Sequence, residues 1–368
     1  MVTSAASPSL LSAMRGRGRC VRGCWAVLIA VAVAAGCGSG GGARTGESRD
    51  AGSPRVAEPA AEVAEVTVPP SQTRGRLVIH GTGDVNLDPS YIPALQANGY
   101  EHAWTGLGGL FAGDDLTVVN LECAVSTLGR RVPKTFNFRC DPAALPAMRA
   151  AGVEVANLAN NHSGDYGPEA LLDSRAQLRR AGIAPVGVGE DAVAATTPAL
   201  FGRNGWTIAV LGFGGVVPSE DWLATGRPGA GHPGMADGDD VASMTAAVRA
   251  AGELADLVLV TIHWGRELDT EPRAEDVALA HALIDAGADG IFGHHSHRLQ
   301  SLGWYRARPI AWGLGNFVWP NFSAAGSRTA VAEFVVRPDG SMAACLLPAR
   351  IISGGHPVLS KPYPGPCG

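Results

Sequence analysis

The stretch IFGHHSHRLQ, which begins at Ile291, places His294, His295 and His297 within four positions of a chain that has only ten histidines. Imidazoles at that density serve metal ligation or proton transfer. Similar groups follow other short apolar runs. Asp84, Asn86 and Asp88 follow RLVIHGTG, and Asn120 and Glu122 end LTVVNLE. Asn160, Asn161, His162 and Asp165 lie in ANNHSGD, and His263 and Glu267 lie in TIHWGRE. Each group has a plain structural reading when taken alone. Asp84 caps a turn, Glu122 is a solvated strand end, the Asn-Asn-His run is a turn with a helix cap, and His263 is a packed histidine. His80, inside the first apolar run, reads as a core group. Taken jointly, five segment ends bearing carboxylate, amide oxygen and imidazole point to one or two divalent cations, with Mn, Fe and Zn as the matching metals. Cations so held would polarise a phosphoryl oxygen and activate a water, and His162 would protonate the leaving oxygen. Phosphoester hydrolysis is the reaction this set suits best.

These groups need a scaffold that gathers chain segments far apart in sequence. The runs at RLVIHGTGD, LTVVNLE, VEVANLANNH, WTIAVLGFGG, LVLVTIHWG and ADGIFGHHSH are each four to six apolar residues followed by a polar cluster, the pattern of buried strands. Between them DPAALPAMRAAG, GPEALLDSRAQLRRAG, DDVASMTAAVRAAG and AEDVALAHALIDAG have helical periodicity and end in glycine. Alternating strands and helices predict α/β layering with much parallel pairing, and open sheets of that kind collect ligands at the carboxyl ends of their strands. The final third, with its PDG turn, reads as antiparallel strands. There is no internal repeat.

Hydrophobic residues make up 46% and charged residues 17% of the 368, enough to bury a core and too little charge for a disordered chain. The net charge of -5 becomes -5 - 4 = -9 without residues 1–36, which carry Arg15, Arg17, Arg19, Arg22 and no acid. An acidic chain with no basic block argues against nucleic acid as a partner. The arginines precede WAVLIAVAVAA at 25–35, a run too short to span a bilayer and of the length of a signal-peptide core. It ends in AAGC, which resembles a bacterial lipobox. The expected organisation is a lipoprotein signal peptide at 1–36, lipidation of Cys37, a flexible linker at 37–75, a folded domain at 76–355 and a C-terminal tail at 356–368. A lipid anchor would hold the domain at the extracytoplasmic face of the cell membrane. Cys123, Cys140, Cys345 and Cys367 then allow three pairings, of which Cys123–Cys140 with Cys345–Cys367 is the simplest.

The ordered series GDVN, NLE, ANNHSGDYG, IHWGREL, LIDAGADGIFGHHSHRLQ and GLGNFVW resembles the CapA family of bacterial capsule (poly-γ-glutamate) biosynthesis proteins, over residues 77–322. That family looks related to the calcineurin-like metallophosphoesterases. The resemblance implies an α/β fold, the calcineurin-like metallophosphoesterase four-layer α/β/β/α sandwich. It implies metal ligation by Asp84, Asn86, Glu122, Asn161, His263, His295 and His297, with Asn86 standing where the metallophosphoesterases carry histidine and Glu122 where they carry a bridging aspartate. It implies catalytic roles for His162 and Asp165, and substrate contacts from Asn160, Glu267, His294 and Asn316. The function it implies is polymer synthesis or export at the cell surface, acting on an anionic polymer or a phosphorylated substrate beside other polymer-synthesis proteins. Two readings stand next to it: a secreted metallophosphoesterase for an unrelated phosphoester, and a binding subunit that kept the fold without the chemistry. No sequence feature identifies a glutamate polymer, and basic residues are scarce between 77 and 322.

Overall fold

The computed structural model describes residues 73–227 and 229–368; the signal peptide, Cys37 and most of the linker lie outside the described residues. The six apolar runs all form strands. Leu116–Leu121 and Leu257–His263 are buried at every position, as expected of parallel strands covered on both faces. An eight-stranded sheet runs in the order His356–Leu359, Met342–Ser353, Arg328–Val336, Leu77–Val85, Leu116–Leu121, Val155–Asn157, Ala184–Val186, with Asn316–Val318 also paired to Leu77–Val85. A six-stranded sheet runs Leu302–Tyr305, Arg308–Ala311, Gly290–His294, Leu257–His263, Trp206–Gly214, Ala199–Arg203. The strands from Leu77 to Val186 in the first sheet and from Trp206 to His294 in the second pair in parallel. Of the C-terminal strands expected to be antiparallel, Arg328–Val336, Met342–Ser353 and His356–Leu359 are so, whereas Asn316–Val318 pairs parallel with Leu77–Val85, and Arg308–Ala311 pairs antiparallel with Leu302–Tyr305 but parallel with Gly290–His294.

Three apolar clusters separate four layers. The inner one packs Ile79, Leu116, Val118 and Val155 against Ile208, Val210, Leu259 and Phe292, joining the two sheets face to face. On the outer side of the eight-stranded sheet, Val119 and Leu121 meet Met148, Leu171 and Leu178 from helices Leu145–Ala150 and Gly167–Arg180. On the outer side of the other, Val258 and Val260 meet Met244, Val248 and Leu283 from helices Val241–Gly252 and Ala274–Asp285. This is the four-layer α/β/β/α sandwich. Helix Gly167–Arg180 shows the local logic: Pro168 opens it, Glu169 sits in its first turn and Arg179 and Arg180 in its last. Its buried Ala170, Ser174 and Leu178 recur every fourth residue, and Gly182, at φ 75°, follows its end.

Two expected boundaries move. Gly75, assigned to the linker, donates its N–H to Asn204 O at 2.8 Å and accepts from Trp206 Nε1 at 2.7 Å, so the folded part starts before residue 76. Residues 356–368 are not a tail. His356–Leu359 is an edge strand, and Tyr363 Oη and the Cys367 N–H both donate to the Glu333 carboxylate at 2.6 Å. Cys345 and Cys367 are bonded, with Cα atoms 6.2 Å apart, and Cys123 and Cys140 are bonded at 5.8 Å. His80 is a core group, held between Asp114 Oδ2 at 2.6 Å and Glu333 Oε2 at 3.1 Å.

The sheets pack closely where Gly81 faces Phe292: a Cβ on residue 81 would lie 2.3 Å from the Phe292 ring, which itself stacks on Phe334 at 4.4 Å. Gly81→Val should therefore overpack the inner core and lower stability by roughly 1–3 kcal/mol. Chemical denaturation checks this as a lower midpoint with an unchanged slope.

Candidate metal centre

Strand register sets the site. Asp84 lies level with Asn120 and Asn316 in one sheet, and His263 lies level with His294 in the other. All sit at one end of their sheets, so packing the sheets face to face brings the two sets together. Glu122, one residue past its strand, has an Oε1 that lies 3.9 Å from His162 Nε2, 3.8 Å from His263 Nε2 and 3.9 Å from His297 Nε2. His297 Nδ1 lies 3.1 Å from Asp84 Oδ2 without hydrogen-bond alignment, and 2.8 Å from Asn316 Oδ1. Asn161 Oδ1 accepts from His263 Nε2 at 3.0 Å.

These separations suit a shared cation better than hydrogen bonds. Ligands about 2.0–2.2 Å from an ion stand roughly 3–4 Å from one another. Asp84, Glu122 and His297 each offer a ligand atom, all within 4.8 Å of one another. Asp84 Oδ2, both Glu122 oxygens, His294 Nδ1 and His295 Nδ1 are buried without a hydrogen-bond partner. Buried polar groups normally find partners, and a carboxylate sealed from water with none is costly unless a cation neutralises it. The donor set thus fits a divalent metal.

The protonation pattern tells the same story. Burial, reinforced by the charge of Asp84, raises the Glu122 carboxyl well above its usual range. Burial alone would raise Asp84 too, but the His297 imidazolium outweighs it and lowers the carboxyl. Burial disfavours a charge on His297, yet Glu122 and Asp84 together raise it to about 9. Burial brings His294 and His295 down to about 4, and burial with the neighbouring histidines takes His263 well below its usual value. The raised His297 imidazole, placed between the Asp84 and Glu122 carboxylates, stands where a cation would be favourable.

At the edge of this ring His162 turns Nε2 toward Glu122 while its Nδ1 contacts Asp165 Oδ2 at 2.7 Å. Asp165 is wholly buried and also accepts the Phe138 N–H at 2.7 Å. Burial lowers the His162 imidazole against the pull of Asp165. The sequence reading missed Lys134, whose Nζ donates to Asp165 Oδ1 at 2.7 Å and to the Asn161 carbonyl. One signal was available: the chain carries 29 basic residues and only two are lysines, Lys134 and Lys361.

Four expected site residues have other occupations. Asn86 Oδ1 accepts the Asp88 N–H at 2.9 Å and so braces the turn after Asp84, while its Nδ2 is buried without a partner. Asn160, expected at the substrate, is fully buried. Its Oδ1 accepts from the His162 and Ser163 N–H groups at 3.0 Å, so it builds the turn that presents His162. His294, also expected at the substrate, is buried with Nε2 on Thr261 Oγ1 at 2.9 Å. Asn316 links His297 Nδ1 to the Gly326 carbonyl and orients that imidazole. Glu267 is exposed and lies beside His295 and His297.

Comparison with known proteins agrees with this geometry. Residues 78–321 match the family described as bacterial capsule synthesis protein PGA_cap. The capsule biosynthesis protein CapA of Bacillus anthracis is 32% identical over 234 residues, 63% of this chain and 56% of that one. A Mycobacterium tuberculosis protein named "probable polyglutamine synthesis accessory protein" is 36% identical over 55% of each chain. This chain thus spans little more than half the length of these curated relatives. The NAD nucleotidase of Haemophilus influenzae superposes on 76% of this chain and 51% of its own at 15% identity and TM-score 0.48, too slight a likeness to assign an activity. The family match covers well over half of the sequence and takes in the whole ring from Asp84 to Asn316; the chain belongs to the bacterial capsule synthesis protein family PGA_cap.

Proposed function

We propose that this protein is a divalent-metal phosphoesterase-type hydrolase that processes a phosphorylated precursor in capsule or poly-γ-glutamate synthesis, tethered by lipidated Cys37 at the extracytoplasmic face. The observation that carries the reading is the meeting of unpartnered Asp84, Glu122 and histidine atoms beside a His162 already oriented by Asp165. The anchor rests on the AAGC sequence alone. Bound metal would polarise the phosphoryl oxygen and supply an activated water. Asp84, Glu122, Asn161, His263 and His297 would hold it. His162 delivers a proton from Nε2 to the leaving oxygen, Asp165 fixes its Nδ1, and Lys134 fixes Asp165.

The adjoining cleft supports a substrate class. It measures about 240 Å³ and runs past His162 and His297 between Tyr91, Phe138, Trp319 and Phe322. Phe136 and Phe322, at its mouth, are 58% and 76% exposed, and apolar rings left in water beside a polar centre mark a binding surface. Arg298 is the one arginine or lysine among the described residues lining it. A long polyanion would favour a basic groove. These walls suit a phosphoester whose non-reacting part is apolar.

Two outcomes are expected. With Mn(II), the domain from about residue 72 should hydrolyse an aryl phosphodiester, and His162→Ala should lower kcat by about 10²–10⁴-fold while metal content stays unchanged. Full activity in that variant removes His162 as the acid; a wild-type protein that takes up metal and turns over nothing leaves the binding-subunit reading. Metal affinity should also climb with pH. At pH 7 His297, raised to about 9, carries a proton that a cation must displace. The affinity gain should therefore continue up to about pH 9. Calorimetry in buffers of different ionisation enthalpy reads the released protons directly, and an affinity independent of pH from 6 to 9 contradicts the assignment.

A further inference from the structure

Glu267 stands in an odd place for a substrate-binding residue. A bare carboxylate at the mouth of a centre built for phosphoesters repels the substrate's own charge. It is tolerable there when a cation neutralises it. Its carboxylate lies within 4.8 Å of ligand atoms on both His295 and His297. His295 is only 5% exposed and its Nδ1 has no hydrogen-bond partner.

The backbone is held in unusual conformations to make this juxtaposition. Six non-glycine residues among those described have positive φ. Asn204, Arg306 and Ala307 lie in the tight turns of hairpins, where such angles are ordinary. The other three are Leu268 at 70°, His295 at 87° and His297 at 50°, all in this corner. Strain of this kind persists where surrounding contacts enforce it. Here the Leu268 N–H donates to the Ser296 carbonyl at 2.7 Å, which clamps the segment bearing Glu267 to the histidine loop. Gln300 Nε2 on the Asp269 carbonyl at 3.0 Å fastens it again.

We propose that Glu267 is a metal ligand, the outer carboxylate of the centre, acting with His295 and His297 on its solvent side. This rests on the metal-centre reading above and adds a ligand from the loop after His263. The test is equilibrium titration of the wild-type domain and of Glu267→Gln and Glu267→Asp with Mn(II) and Co(II), read by metal content and by the visible Co(II) spectrum. The expected result is at least a tenfold loss of affinity, or loss of one bound equivalent, in Glu267→Gln, with a changed Co(II) spectrum and partial recovery in Glu267→Asp. Thermal melts in chelator should coincide for all three, because the metal-free fold does not use this carboxylate. Unchanged affinity and spectrum in Glu267→Gln overturn the proposal even if substrate affinity falls, since that pattern belongs to a substrate contact. A wild-type protein that binds no metal overturns the metal-centre reading itself, an outcome distinct from the first.

Discussion

The constraint on which the rest of the structure depends is the burial of Glu122. Both of its oxygens are shielded from water and neither has a hydrogen-bond partner. Removing an ionised carboxylate from water without a partner costs several kcal/mol or more, so such a group either takes up a proton or faces a cation. Among the described residues no arginine or lysine lies within ion-pair distance of it; the Nε2 atoms of His162, His263 and His297 lie at 3.8–3.9 Å. Nitrogens at that spacing are poor hydrogen-bond donors to the carboxylate and good co-ligands with it. The most plainly unfavourable feature of the protein on its own is thus the one that a divalent ion would relieve.

Holding that arrangement requires two sheets. Asp84 and Glu122 come from one and His263 and the histidine loop from the other. The inner core sets the distance between the sheets, and at Gly81 it has no room for even one extra carbon. A change in that spacing would alter the contacts of Asp84 and Glu122 with His263, His294 and His297 at once. Core packing and site geometry are therefore the same variable here. The outer helices, farther away, tolerate more.

The sequence made the scaffold legible because buried parallel strands are continuous apolar runs, and six of those stand out between glycine-terminated helices. The short strands Ala184–Val186 and Ala199–Arg203 escaped notice: one contains Pro185 and the other is half exposed, so neither has a distinctive period. The site was legible as residue types at strand ends, and Asp84, Glu122, Asn161, His162, His263 and His297 do gather in one place. What could not be read was the direction each polar atom faces. Asn86 and Asn160 carry the right chemistry but use it on neighbouring N–H groups, a matter of turn geometry that spacing alone does not encode. Lys134 escaped for the opposite reason. It lies in a loop with no periodic signal, and its partner Asp165 is 31 residues away.

The loop that carries Lys134 is itself fastened to the metal centre. Cys123 follows Glu122 directly, and its bond to Cys140, at a sequence separation of 17, closes the intervening loop on the spot where the buried carboxylate sits. Within that span Lys134 reaches back to Asp165, the Phe138 N–H reaches the same carboxylate, and the Phe138 ring lies 4.2 Å from the His162 ring. Asp165 therefore receives three groups: the imidazole it orients and two from that loop. The cross-link adds to the other ties of that loop, among them the Val125 N–H on Ser174 Oγ, Ser126 Oγ on Asp173 and the Arg139 N–H on Asp88. With it, the groups that hold the proton-transfer histidine are tied covalently to the strand end that supplies Glu122, so the acid and the metal cradle move as one unit.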